Sequence, residues 1–103
     1  MGILKFLDTT EIEEFATVLA MDLGRRFPPT SEARTDPGAA HQKKVILDGL
    51  AARAARYRDQ HNLGIYKKAK LGNVFKWKLK DLGYSSEFVD RATKEIITRV
   101  ATK

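Results

Sequence analysis

The sequence predicts an all-α protein, a small bundle of about four helices in which the second helix is long and the third and fourth form a helical hairpin. Four segments carry apolar residues at spacings of three and four, the period of an amphipathic helix. Proline or glycine punctuates the chain between these segments. The length of 103 residues, 43% of them hydrophobic, suffices for one core and not for two. We therefore expect a single helical domain over residues 1–103, with an apolar amino-terminal tail at 1–8 and a polar loop at 28–36.

The first helix is predicted over residues 9–26. Asp8 or Thr10 is a suitable N-cap, and Glu11 or Glu13 three residues later completes a capping box. A proline pair ends the helix, because the residue before a proline avoids helical backbone angles. The apolar stripe of this helix comprises Ile12, Phe15, Ala16, Leu19, Leu23 and Phe27.

The second helix opens with Asp36 as N-cap and Pro37 at the first helical position. It continues to His61, about 38 Å at 1.5 Å per residue, and Asn62 and Gly64 supply the stop. One face carries Ile46, Leu47, Leu50, Ala54, Tyr57 and His61. A helix of this length overhangs a compact monomer of this size, which favours self-association.

Residues 65–82, IYKKAKLGNVFKWKLKDL, fit two secondary structures. Apolar residues alternate with lysines over 75–80, as in a strand, and Gly72-Asn73 matches a two-residue hairpin loop. That hairpin has no clean apolar face, whereas a helix gathers one. The helical stripe comprises Leu71, Val74, Phe75, Leu79 and Leu82. We therefore predict a helix, with a kink or break at Gly72-Asn73 as an alternative, since the pair lowers helix propensity by about 1 kcal/mol or more.

The fourth helix is predicted from Ser85, its N-cap, to Ala101. Gly83 just before it is a typical helix stop, and Tyr84 follows as an apolar residue able to pack back. Its apolar positions are Phe88, Val89, Ala92, Ile96, Ile97 and Val100. The third and fourth helices therefore form a hairpin with a short turn.

Charge is distributed unevenly along a chain whose net charge is +6. Residues 1–40 hold four basic and seven acidic side chains, residues 41–80 hold eleven and two, and residues 81–103 hold four of each. This asymmetry indicates an acidic partner, which is nucleic acid, an anionic surface or the acidic segment of a second copy.

The basic middle contains the candidate binding residues. Candidate anion or nucleic-acid ligands are Arg53, Arg56, Arg58, Lys67, Lys68, Lys70, Lys76, Lys78 and Lys80. Cations of this kind neutralise phosphates and release counterions. Tyr66 and Trp77 lie among them and are candidates for stacking on bases or for a subunit interface. The alternative to a binding site is a solvated helix face whose lysines serve only solubility.

The segment LKDLGYSSEFVDR, which begins at Leu79, resembles the helix-turn-helix of bacterial DNA-binding proteins. It has leucine and glycine at the turn, a capping serine, and Val89 six residues after the glycine. The resemblance implies a DNA-binding unit at residues 79–96 with the fourth helix in the groove. The pattern has a small residue where Leu79 stands, and Glu87 and Asp90 lie where phosphates approach. The same residues also suit a generic helical hairpin.

Catalytic, metal and membrane signatures are not found in the sequence. His41 and His61 lie twenty positions apart and outside any metal-ligand spacing, and the chain has no cysteine. We expect no enzymatic activity and no cofactor or metal. No apolar run approaches the roughly 18 residues of a membrane span, and the opening MGILKFLD is short for a signal peptide. We expect a cytoplasmic protein without membrane-surface contact.

Two hypotheses follow from these patterns. The first is a small basic interaction protein, not an enzyme, that acts as a homo-oligomer, a dimer or larger. The second is a nucleic-acid-binding protein that uses the basic segment 53–80 or the helix-turn-helix-like unit at 79–96. The position of Trp77 bears on the choice, since a tryptophan between subunits favours assembly and one exposed among lysines favours a ligand.

Overall fold

The computed structural model describes residues 8–101, which fold into four α-helices and contain no strand. The helices are α1 (Thr10–Arg26), α2 (Pro37–His61), α3 (Ile65–Leu82) and α4 (Ser86–Ala101), with a short 3₁₀ helix at Pro29–Ala33. The predicted all-α bundle, its long second helix and its α3–α4 hairpin are confirmed. The predicted apolar tail lies outside the described residues, apart from Asp8.

α3 is one uninterrupted helix, so the strand alternative and a break at Gly72-Asn73 are both wrong. The predicted stripe explains this result, because Leu71, Phe75 and Leu79 are each at most 1% exposed. Gly72 is buried against α4, where an added Cβ atom would lie 2.6 Å from Ile97 Cγ1. The glycine therefore allows close approach of the two helices, and the packing offsets its low helix propensity.

The helices pack in pairs around one core. α1 packs mainly on α3, α2 on α4, and α3 on α4, with a smaller contact between α1 and α2. α1 and α2 run antiparallel: the rings of Phe15 and Tyr57 stack with centroids 3.9 Å apart, and the Gln42 amide donates to the Arg26 carbonyl oxygen at the other end. The core draws apolar side chains from all four helices and from both sides of the α3–α4 turn.

α2 is covered along its length within one chain. Its buried residues run from Ala39 to Ala54. Beyond them Tyr57 stacks on α1, and the Arg58 guanidinium donates to the Val100 carbonyl oxygen of α4 at 3.1 Å. A second copy is therefore not needed to cover α2, and self-association stays a prediction.

Three predicted helix ends are present. The Asp36 carboxylate accepts from the Ala39 N–H at 3.0 Å at the start of α2, and Ser85 Oγ accepts from the Phe88 N–H at 3.2 Å at the start of α4. Gly83 ends α3 in the left-handed conformation with φ of 100°. These ends follow from local side-chain chemistry.

The start of α1 differs from its predicted capping box. The helix begins after Thr9, whose side chain accepts no capping hydrogen bond. Instead Thr9 Oγ1 donates to the Glu13 carboxylate at 2.7 Å, and the Asp8 carboxylate accepts from the Thr10 N–H at 2.9 Å. Glu13 therefore bonds to a side-chain hydroxyl and not to a backbone N–H.

The predicted loop at 28–36 contains the 3₁₀ helix and is tied to α4. The Glu32 carboxylate accepts from the Ser85 N–H at 2.9 Å and from Ser85 Oγ at 2.6 Å. Just before the loop, the carbonyl oxygen of Phe27 accepts a buried hydrogen bond from the Tyr84 hydroxyl. Both contacts join residues more than fifty positions apart, which is why the local sequence did not predict them.

Candidate functional site

The outer face of α3 carries both candidate aromatic residues. Counting along the helix at spacings of four and three gives a single solvent-facing row, here called the outer stripe: Tyr66, Lys70, Asn73, Trp77 and Lys80. This row faces away from the buried positions of α3. Tyr66 is 57% exposed and Trp77 is 54% exposed. The row therefore presents two large aromatic side chains to solvent, one near each end.

The ammonium group of Lys80 lies over the Trp77 ring. Its nitrogen is 4.7 Å from the ring centroid, within the range of a cation–π contact. Such a contact contributes about 0.5–1 kcal/mol at an exposed site and orients both side chains. The outer stripe therefore presents an aromatic ring with a positive charge over its face.

The stripe lies in a carboxylate-free part of the chain. Between Asp59 and Asp81 the sequence has no acidic residue. Among residues 8–101, no lysine of α3 lies within 4 Å of a carboxylate oxygen. Lys67 of α3 acts weakly on the Asp8 carboxylate. The pKa of Asp8 lies below its ordinary value chiefly because Thr10 donates two hydrogen bonds to it, and Lys67 lowers it by a smaller amount.

The six lysines of α3 divide among three surfaces. Lys70 and Lys80 lie on the outer stripe. Lys78 lines the groove between α3 and α1 together with Glu13 and Glu14. Lys68 and Lys76 line the groove between α3 and α4, and Lys67 lies on the α1 side near Asp8. The structure therefore does not gather all predicted lysines into one patch.

Two of the three predicted arginines have partners inside the chain. Arg53 Nη1 lies 2.9 Å from the Asp22 carboxylate of α1. Arg58 Nη1 donates to the Arg99 carbonyl oxygen at 2.8 Å and holds the end of α4. Arg56 is exposed and makes no hydrogen bond or ion pair within residues 8–101. Arg53 and Arg58 thus contact other helices, only Arg56 of the three remains free in the described part of the chain, and the outer stripe is the better-formed candidate site.

Asp22 is a charged site that sequence reasoning missed. Its side chain is 6% exposed, and three guanidinium groups surround it: those of Arg25, Arg26 and Arg53. The sequence contains a signal for this cluster, because Arg25 and Arg26 follow Asp22 three and four positions later, on the same helix face. The cluster neutralises a buried carboxylate and links α1 to α2, so it is a stabilising contact between helices.

The helix-turn-helix-like unit occupies the α3–α4 hairpin. Leu79 is fully buried, so the large residue at the position of close approach is accommodated in the core. Glu87 and Asp90 are exposed on the first turns of α4. In a groove-binding helix these carboxylates would face phosphates, which they would repel.

The histidines make no metal site. His61 is exposed and stacks on Tyr57 with ring centroids 4.0 Å apart, and His41 is exposed on α2. Within residues 8–101, no three His, Asp or Glu side chains are arranged to hold a metal ion. None of the helices in that range is both long and apolar enough to cross a membrane.

Comparison of the chain with protein-family models, with curated proteins and with solved structures finds no match. The surfaces described above are therefore the only basis for inferring a function.

Proposed function

We propose that the protein binds single-stranded nucleic acid through the outer stripe of α3. The observation that carries the proposal is the half-exposed Trp77 with the Lys80 ammonium over its ring. Lysines neutralise phosphates, and exposed aromatic rings stack on unpaired bases with little regard to sequence. Both chemistries occur on one face of α3, a helix whose single acidic residue is Asp81 in its last turn.

The spacing of the aromatic residues favours a single strand over a duplex. Tyr66 and Trp77 are three helical turns apart, about 16 Å along the axis. A flexible strand can place an unstacked base on each ring, while the faces of paired bases in a duplex are covered by their neighbours. Binding by α4 in a duplex groove has less support, because Glu87 and Asp90 lie at its start.

A salt titration tests the proposal. Fluorescence anisotropy of a labelled oligonucleotide about 20 nucleotides long, single-stranded or in a duplex, measures affinity at several salt concentrations. We expect tighter binding to the single strand and an affinity that falls as salt rises. Trp77→Ala should weaken binding about tenfold or more through lost stacking. Lys80→Ala should weaken it less and reduce the salt slope by about 0.7.

Lys44→Ala provides the matched control, because Lys44 is an exposed lysine on α2, away from the stripe. It removes the same charge and should leave affinity nearly unchanged. Absence of binding at low salt would end the proposal. Equal losses from Lys44→Ala and Lys80→Ala would also end it, since they would indicate attraction to net charge without a site.

Self-association into a homo-oligomer is the second candidate. Its support is a set of large apolar side chains that are exposed within residues 8–101: Val18, Met21, Val45, Ile65, Tyr66, Trp77 and Ile97. The outer stripe itself suits a two-fold contact poorly, because lysines of two copies would face each other. Light scattering at micromolar concentration tests this candidate, and an 11.6 kDa monomer at all concentrations would exclude it.

A further inference from the structure

A groove between α3 and α4 combines an apolar floor with a basic rim. It has a volume of about 740 Å³. Its apolar residues are Ile65, Ala69, Ile97, Val100 and Ala101, and its charged residues are Lys68, Lys76, Lys94 and the single acid Asp90. Ile65 is 86% exposed and Ile97 is 46% exposed. An occupant complementary to this groove has apolar side chains flanked by carboxylates.

The outer face of α1 has that chemistry. Glu14, Val18 and Met21 follow one another at spacings of four and three, which places them in one row on the helix surface. Val18 is 53% exposed and Met21 is 56% exposed. Glu11 and Glu14 are both exposed in the first turns. This row is called the acidic face of α1.

The two surfaces do not meet within one chain. α1 packs on α3 and, less, on α2, whereas the groove lies between α3 and α4. Each chain thus offers one acidic apolar face and one basic apolar groove, both open to solvent among residues 8–101. Two unlike, complementary surfaces on the same molecule permit head-to-tail association of identical copies.

We propose that the acidic face of α1 in one copy seats in the α3–α4 groove of the next copy. The proposal rests on the self-association put forward above and specifies its geometry. Val18 and Met21 cover Ile65 and Ile97, and the glutamates of α1 face the lysine rim. Because the contact is heterologous, it closes into a ring or extends as a filament, depending on the rotation between copies.

Sedimentation velocity over a range of protein concentrations tests the pairing with three substitutions. Met21→Ser alters the acidic face, Ile65→Ser alters the groove, and Val45→Ser alters an exposed apolar residue of α2 on neither surface. All three side chains are more than half exposed, so the fold tolerates the changes. We expect Met21→Ser and Ile65→Ser each to weaken association about tenfold, and Val45→Ser to leave it unchanged.

A charge exchange tests the same pairing from both sides. Glu14→Lys and Lys94→Glu should each associate weakly alone, because like charges then meet in the contact. Their equimolar mixture should associate with nearly wild-type affinity, since each contact in an alternating assembly again joins opposite charges. If the groove of one copy paired instead with the groove of another copy, Glu14→Lys would leave the association unchanged.

The outcomes separate the two proposals. A wild-type protein that stays monomeric overturns self-association and the pairing together. Association that is insensitive to Met21→Ser, or a mixture that fails to recover, overturns the pairing and leaves self-association standing. Binding of single-stranded nucleic acid is measured separately, so its presence or absence decides neither result.

Discussion

The side chain of Ile97 in α4 lies against Gly72 in α3, so closely that a Cβ atom on residue 72 would stand 2.6 Å from Ile97 Cγ1 and 2.7 Å from Ile97 Cδ1. No real Cβ atom tolerates such distances without movement of its neighbours. The pair therefore sets how closely the two helices of the hairpin approach. It also shapes the groove beside them, which both residues line.

Gly72→Ala should lower the free energy of unfolding by about 1–2 kcal/mol, because crowding against Ile97 exceeds the gain in helix propensity. Chemical denaturation followed by circular dichroism measures the change. Gly49→Ala is the matched control, since Gly49 lies within α2 with no atom within 4 Å of an added Cβ. The control should stabilise the protein by about 0.5–1 kcal/mol. Adding Ile97→Ala should recover much of the loss from Gly72→Ala, and a Gly72→Ala variant as stable as Gly49→Ala would contradict the contact.

Asp22→Asn should destabilise the protein by about 1–3 kcal/mol, because it leaves guanidinium groups without their buried carboxylate. Asp22 is 6% exposed, but the Arg53 side chain is 36% exposed and retains some water, which keeps the loss moderate. Thermal unfolding at neutral pH measures it. The control is Asp48→Asn on an exposed position of α2, which should change stability by less than about 0.5 kcal/mol. Equal effects of the two substitutions would mean that the ion pairs around Asp22 contribute nothing to the stability of the fold.

Tyr84 should make stability fall at alkaline pH. Burial, with a smaller effect from Glu32, raises the pKa of Tyr84 to about 12. The folded state therefore favours the neutral phenol. The contribution of Tyr84 to the free energy of unfolding is complete below about pH 10, the ordinary tyrosine pKa, and is lost as pH rises toward 12. Unfolding free energies measured across this range should decline less in Tyr84→Phe than in the wild type.

At neutral pH, Tyr84→Phe should cost about 1–2 kcal/mol, because the buried Phe27 carbonyl oxygen loses its hydroxyl donor. Tyr66→Phe is the control, since Tyr66 is 57% exposed on the outer stripe. It should change neither the stability at neutral pH nor its alkaline dependence. An identical alkaline decline in Tyr84→Phe and the wild type would show that groups other than Tyr84 produce it, such as the lysines or Tyr57, whose pKa is also raised by burial.

Local patterns predicted the four helices because their causes lie within a few residues of each other. The stripe of α3 settled helix against strand, because Leu71, Phe75 and Leu79 share one face of a helix. A hairpin that turns at Gly72-Asn73 would place Leu71 on the opposite face from the other two. Asp36 and Gly83 marked helix ends by side-chain and backbone chemistry that needs no distant partner. The position of Trp77 and Lys80 on one exposed row also follows from helical spacing.

Only the tertiary structure decided which charged and small residues have partners. Arg53 and Arg58 belong to the basic segment of the sequence, yet their partners lie 31 and more than 40 positions away. Gly72 suggested a break in α3 from its low helix propensity, whereas in the structure it makes room for the Ile97 side chain of α4. Sequence by itself therefore determined which segments are helical and which side of each is buried. Packing decided which helices adjoin, and therefore which cations remain free to bind a ligand. The physical reason is that a contact between distant residues depends on every helix that brings them together.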